Sequence, residues 1–363
     1  MNQEDRKEMI FYPVYIKFYR FKTIEEYYLN VIENEKDKLK YIKLFFKYNV
    51  FTKEKKQLLL SKLDEENKKK FIEYVEKDIK IINLFSFSRG INGNYGYDLN
   101  IHWLPNAMKI NYRNVFYDKI EYSKNRIYFF IGSILQLLKK LDGNIIIWGS
   151  GIINYEKISK NPKKILAVRG PLSRDQLIKQ NINCPEIFGD PALLIPLYYY
   201  PKIKKINKFC VIPHYININN PLVNLIFIKN NIKLIKVEKY IEWTDFLDQL
   251  ISCENIFSES LHGLILAEAY SIPNLWISIY NYSKKIVGND TKYHDFFMSL
   301  GKDRISYYRI NNDTKISSLI NELNKYRRSF RIDLEKLINS CPFKLDIDVN
   351  QIKKIYNITP NDK

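Results

Sequence analysis

The residues best suited to chemistry in this sequence lie in one short stretch, Ser258-Glu259-Ser260-Leu261-His262-Gly263. A brief apolar run, Asn255-Ile256-Phe257, precedes it, and the apolar-faced Leu264-Ile265-Leu266-Ala267-Glu268-Ala269-Tyr270 follows. That pattern predicts a strand, a polar turn and a helix, with His262 on the first helical turn. A helix N-terminus has free N–H groups and the positive end of the helix dipole, and so attracts anions. An imidazole placed there can move a proton near neutral pH. The competing reading is a buried strand–helix junction whose histidine is satisfied in the core.

The same punctuation recurs upstream. Ile81-Ile82-Asn83-Leu84-Phe85 reads as a buried strand, followed by a loop from Arg89 to Leu99 that holds Gly90, Gly93 and Gly96, three of only twelve glycines. Asn94 and Asp98 of that loop are candidate substrate ligands, with a tight structural turn as the alternative. The apolar strand Asn144-Ile145-Ile146-Ile147-Trp148 ends in Gly149-Ser150-Gly151. This lacks the third glycine of a dinucleotide fingerprint but can cradle a ligand through backbone N–H groups. Ile165-Leu166-Ala167-Val168 leads to Arg169-Gly170-Pro171, with Arg174 in the following helix, and Glu186-Ile187-Phe188 leads to Gly189-Asp190-Pro191-Ala192. Two arginines near strand ends suit bidentate recognition of phosphate or carboxylate.

Successive strand–turn–helix units predict an α/β fold with parallel, doubly wound sheets, whose ligands bind beyond the carboxyl ends of the strands. Tyr198-Tyr199-Tyr200-Pro201 and the Lys-rich run after it read as a linker. A second set of units then begins with Cys210-Val211-Ile212-Pro213-His214, and His214 is a further candidate at a strand end. The expected division is a helical N-terminal extension over 1–79, an N-terminal Rossmann-like domain over 80–200, a C-terminal Rossmann-like domain with terminal helices over 201–343, and a polar tail over 344–363. In the extension, Thr23-Ile24-Glu25-Glu26 is a capping-box pattern, and Leu39, Ile42, Phe45 and Phe46 recur at helical spacing.

The chain has 363 residues, 46% hydrophobic and 15% aromatic, which is enough for real cores and excludes a disordered protein. Cys184, Cys210, Cys253 and Cys341 are widely spaced without a CxxC pair. They read as reduced core residues of a cytoplasmic protein, not as a disulfide framework or a zinc site. The net charge of +18 is spread along the whole length among many Ile, Asn and Tyr residues. It points to an anionic substrate or an anionic membrane surface rather than to nucleic acid. No apolar run approaches the roughly 18 residues of a membrane span.

Four stretches in order carry a resemblance: AVRGPLSRDQL at 167–177, CPEIFGDPALLIPLYY at 184–199, VIPHY at 211–215 and SESLHGLILAEAYSIPNLWI at 258–277. Together they closely resemble the polysaccharide pyruvyl transferases, nearest to the ExoV-like members, over about residues 80–343. The resemblance implies two Rossmann-like domains facing across a cleft, as in GT-B glycosyltransferases. It implies phosphoenolpyruvate as donor, a pyruvate ketal on a sugar of a surface glycan as product, no cofactor and no essential metal. The acceptor would be a glycan or a lipid-linked saccharide, met in the cytoplasm at the inner face of a membrane.

By position, the resemblance gives His262 the role of acid and Arg169 that of donor anchor. Asp190 lines the cleft or is structural. Two departures accompany it. Ser260 stands where many members carry Arg, and Asn94-Tyr95-Gly96-Tyr97 stands where N-x-G-D is usual, with Asp98 one place late. Lys292 and Asp295 lie in a K-Y-x-D-F segment similar to the family's closing motif. The substrate-binding candidates are therefore Arg174, Ser260, Gly149, Ser150, Asn94, Asp98, His214, Asp190 and Lys292. His102 and His294 are expected to be surface or packing residues. A nucleotide-sugar glycosyltransferase and a catalytically weakened glycan-binding homologue are the alternatives. A serine hydrolase is disfavoured because the sequence has no GxSxG elbow.

Overall fold

The computed structural model describes residues 61, 63–69, 81–87, 94–115, 126–141, 144–158, 160–238, 240, 242–279, 288, 290–302, 305–325, 332–348 and 350. The expected helical extension lies outside them apart from a helical stretch at 65–69, as do the capping pattern at 23–26, the loop residues 89–93 and most of the tail. The chain divides into two compact units. Residues Met1–Ile81 with Asn111–Asn114 form one, and Ile82–Ile110 with Val115–Lys363 form the other.

The larger unit is α/β, built on two parallel sheets. Its first sheet takes strands β1 (Ile81–Leu84), β3 (Arg126–Phe129), β4 (Asn144–Trp148) and β5 (Lys164–Ala167), hydrogen-bonded in that order. Strand β2 (Asn111–Asn114) belongs to the smaller unit. The unbroken apolar run of β4 reflects burial on both faces, as parallel sheets covered by helices require. Ile145, Ile147 and Trp148 are almost wholly inaccessible, and Ile145 and Ile147 pack with Ile127, Phe129, Val168 and Leu177. Helices α1 (Tyr95–His102), α2 (Leu104–Met108) and α3 (Pro171–Ile178) belong to this half, α3 opening on Pro171 at its first turn. Residues Leu135–Lys140 form a 3-10 segment.

The second sheet contains β6 (Asn207–Ile212), β7 (Lys233–Leu234), β8 (Cys253–Ser258), β9 (Asn274–Ile279) and β10 (Tyr308–Ile310), in the order β10-β9-β8-β6-β7. Counted from β6 this is 2-1-3-4-5, a doubly wound order that reverses direction between β6 and β8. Ligands of such sheets bind at that reversal, beyond the carboxyl ends of the two strands. Helices α4 (Trp243–Ile251), α5 (Leu261–Ala269), α6 (Thr291–Ser299), α7 (Ile316–Lys325) and α8 (Leu334–Asn339) complete this half. The last of them reaches the first sheet, where Trp148 Nε1 donates to the Leu337 carbonyl at 3.0 Å.

One expectation is overturned outright. Cys210 and Cys253 form a disulfide, with Cα atoms 6.1 Å apart and a sequence separation of 43. They lie on adjacent strands, where Cys253 pairs with Asn207 and Cys210 with Ile256. The register, invisible to spacing rules, brings them together. Cys184 and Cys341 remain free thiols.

Candidate active site

Four predicted residues turn out to cap the helices that follow their strands. Asn94 Oδ1 accepts from Gly96 N at 3.2 Å, Asp190 Oδ1 from Ala192 N at 3.0 Å, His214 Nδ1 from Ile216 N at 3.4 Å, and Ser260 Oγ from Gly263 N at 3.4 Å. Small polar side chains at strand ends satisfy the orphan N–H groups of a helix start, so local folding and site construction use the same residues. Gly263 is required by space, since a Cβ there would collide with the Ser258 hydroxyl. That hydroxyl donates to the Ser260 carbonyl at 2.9 Å and fixes the turn.

His262 is the centre of the arrangement. Its ring lies directly on Gly96, where an added Cβ would overlap the imidazole. Its Nε2 is buried without a hydrogen-bond partner and stands 3.9 Å from Asp190 Oδ2, which is likewise buried and unpartnered. Burial, with lesser contributions from the positive charges of Arg169 and Lys292, holds the imidazole down to about 3. Burial also pushes Asp190 up to about 7, against the pull of the Ala192 N–H and the Arg169 charge. Near neutral pH the pair therefore holds a neutral histidine beside a carboxyl that has not fully released its proton.

Arg169 is fully buried. Its Nε donates to Asp295 Oδ2 at 3.0 Å, Nη1 to Ser133 Oγ at 2.5 Å and Nη2 to the Ile152 carbonyl at 2.6 Å, while Nη2 also pairs with Asp295 Oδ2 at 2.9 Å. Ser173 completes the shell of Asp295, its N–H reaching Oδ1 at 2.8 Å and its hydroxyl Oδ2 at 2.7 Å. The absence of side chains at Gly151 and Gly170 leaves room for the guanidinium and for the Asp295 carbonyl. As placed, Arg169 lends positive charge to His262 while its donors are engaged in tying α3 to α6. Trp276, stacked at 4.4 Å on Tyr293, fixes α6 against β9.

Glu259 is an interior acceptor. It takes Ile279 N at 2.7 Å, His214 N at 3.1 Å and the Asn217 amide at 3.0 Å on both oxygens. Burial still raises it above the usual carboxylate range. Lys292, on the first turn of α6, is lowered to about 8 by burial and by Arg169, with Asp290 and Glu259 opposing. His214 is held down to about 3 by burial and then by Lys292. Lys292 thus stands within electrostatic reach of both His262 and His214.

Other predicted residues are turned elsewhere. Asp98 Oδ2 accepts the Tyr240 hydroxyl. Arg174 Nε donates to the Cys184 carbonyl at 3.2 Å. Ser150 donates to the Phe130 carbonyl at 2.5 Å, and Gly149, at φ +87°, leaves room for the Pro191 ring. Tyr97 packs on Gly132 and feels the Arg169 charge, although burial dominates and lifts its phenol to about 12. His102 is kept neutral by burial, at about 4, and His294 meets the edge of Trp276. Sequence reasoning missed Ser133, Ser173, Asn217 and Tyr293. Ser173 had a signal, lying four residues after Arg169 on a predicted helix, and Tyr293 is the Tyr of the K-Y-x-D-F segment.

These features define a parallel α/β protein with a buried histidine–carboxylate pair at its strand ends. The chain belongs to the polysaccharide pyruvyl transferase family, whose model matches residues 93–281. It is 29% identical over 218 residues to the succinoglycan biosynthesis protein ExoV of Rhizobium meliloti (strain 1021), covering 58% of this chain and 62% of that protein. It is 27% identical over 184 residues to the uncharacterized protein L143 of Acanthamoeba polyphaga mimivirus, covering 49% and 61% respectively. The chain thus spans about three-fifths of the length of these relatives. Among the described residues, no helix is long and apolar enough to cross a membrane.

Proposed function

We propose that this chain transfers pyruvyl from phosphoenolpyruvate to two hydroxyls of a sugar in a surface or capsular polysaccharide, forming a cyclic ketal. The observation supporting this most directly is the position of His262, beyond the carboxyl end of β8 and against Gly96 of the first half. In this reading the two sheets are the halves of a GT-B-like pair, and the donor lies between their strand ends. His262 gives a proton to the methylene carbon of the donor. One sugar hydroxyl adds to the neighbouring carbon, and the second displaces phosphate. Of the two protons the hydroxyls release, one balances the new methyl group and the other leaves with phosphate.

The anionic donor requires nearby positive charge. Lys292, the N-termini of α5 and α6, and the charge of Arg169 supply it. A bound trianionic donor also raises the proton affinity of His262, countering burial. The acceptor is a glycan or a lipid-linked saccharide, and the +18 charge suits contact with an anionic membrane surface. Incubation with phosphoenolpyruvate and candidate glycans should release inorganic phosphate together with a glycan mass gain matching a ketal. A His262→Gln protein that transfers pyruvyl at near wild-type rate would sink the assignment of the acid.

A further inference from the structure

We propose that Asp190 is the proton reservoir and positioning partner of His262, passing a proton to Nε2 so that Nδ1–H serves as the acid. The destination of that proton rests on the pyruvyl-transfer reading; the pair itself does not. Asp190 Oδ1 is held by the Ala192 N–H, which aims Oδ2 at the imidazole. Oδ2 and Nε2 face each other across 3.9 Å, both buried and both without another partner. Buried polar atoms are almost always paired, so two unpaired atoms just beyond hydrogen-bond length describe a contact that closes when a proton is shared. The backbone around Asp190 is fixed by Gly189, at φ +139° against Leu337, and by Pro191 against Gly149.

The chemistry of the two edges of the ring differs. Nε2 is sealed, so the 12% exposure of the His262 side chain lies on its other atoms. Nδ1 and Cε1 pack against Gly96, whose lack of a side chain leaves room for the ring. The charges acting on His262 are Arg169 and Lys292, and those acting on Asp190 are Arg169 and Asp295. In the resting pair the proton sits on Asp190, consistent with a carboxyl raised toward neutrality and an imidazole held neutral. When an anionic donor binds, the Asp190 carboxyl gives its proton to Nε2, leaving a carboxylate and an imidazolium. Nδ1–H then protonates the methylene carbon, whose π electrons form the new C–H bond, and His262 returns to neutrality as its Nε2–H tautomer. A proton released by the acceptor hydroxyls reloads the pair through solvent.

The test uses full-length protein with 15N-labelled histidine. Only four histidines are present, and His262→Gln assigns the signal. The Nε2 signal of wild-type His262 should shift with an apparent midpoint near 7, reporting the proton on Asp190, which burial raises to about 7. Asp190→Asn keeps the cap on Ala192 and should abolish that titration, lowering kcat about a hundredfold with donor KM nearly unchanged. Wild-type ring nitrogens that stay constant from about pH 5.5 to about 8.5 would overturn the proposal, as would an Asp190→Asn protein with the wild-type titration or pH–rate profile. If Asp190→Asn does not fold, the wild-type titration decides alone. Because the titration needs no turnover, failure of the pyruvyl-transfer reading would show separately, as absent phosphate release.

Discussion

His262 rests on Gly96: the imidazole occupies the space a methyl group at position 96 would need. Gly96 is the second residue of α1 and receives the cap of Asn94. In a helix, replacing glycine by alanine ordinarily adds up to about 1 kcal/mol of stability. Here the methyl must push the ring aside. Gly96→Ala should therefore be destabilising, and a displacement of about 1 Å at the proposed acid should lower kcat by roughly a hundredfold. Steady-state kinetics and urea denaturation of the single variant check both signs. A stabilised, fully active Gly96→Ala protein would contradict the contact.

The tie between Arg169 and Asp295 makes a second prediction. Removing the guanidinium leaves a buried carboxylate held only by Ser173. Arg169→Ala should cost about 3–5 kcal/mol, the usual penalty for orphaning one partner of a buried ion pair. Arg169→Lys should recover little, because one ammonium cannot replace a fork that engages Asp295, Ser133 and Ile152. Equilibrium denaturation of both variants and of Arg169→Met/Asp295→Leu forms the check, with the double variant losing less than the sum of the singles. If Arg169 were chiefly an open donor ligand, its alanine variant would keep its stability and lose donor affinity instead.

Stability should fall in mild acid, and the sign follows from four groups. His262 and His214 are lowered to about 3 and His102 to about 4, each first by burial, so their neutral forms favour the fold above the ordinary histidine range. That contribution is lost as pH drops below about 6.5. Asp190, raised to about 7, acts oppositely, because the folded chain keeps its proton where the unfolded chain releases it. Between about pH 6 and 4 the unfolded chain binds three of these protons and the folded chain one. From these four groups the unfolding free energy should therefore drop by roughly 2–3 kcal/mol per pH unit, with Glu259, also raised by burial, opposing it. Urea midpoints measured across this range test the slope, and His102→Asn should reduce the share of these four groups by about one half.

Most of the strand ends that build the site were legible in the sequence. Apolar runs such as Asn144–Trp148 announce buried parallel strands, and small polar residues after them announce caps, so Ser260 and Asp190 could be found without coordinates. What spacing does not reveal is which strand end meets which. The contact of Gly96 with His262 spans 166 residues of sequence, and that of Arg169 with Asp295 spans 126. Position alone made Arg169 look like a ligand for substrate, whereas Ser133, Ile152 and Asp295 engage its donors. Asp98 looked like a replacement for the missing acid of the N-x-G-D loop, but helix geometry turns it to Tyr240. Cys210 and Cys253 became partners only through the register of β6 and β8.

Lys292 carries the last prediction. Burial and Arg169 lower it to about 8, with Asp290 and Glu259 pulling the other way. A lysine in that range is charged at neutral pH and discharges as pH rises past it. If it holds the anionic donor, apparent donor affinity should weaken above about pH 8, and binding the donor should raise the lysine's own proton affinity in return. Lys292→Gln should raise donor KM at neutral pH by about tenfold, the worth of one charge-assisted hydrogen bond, and should flatten its rise at higher pH. Its melting temperature should change little, since the stacking of Tyr293 on Trp276 and the Asp295 shell hold α6 without it. Donor KM measured from about pH 6.5 to 9.5 for both proteins decides the matter. Parallel curves would remove Lys292 from the donor site, whereas convergence above pH 8 would place its ammonium on the bound anion.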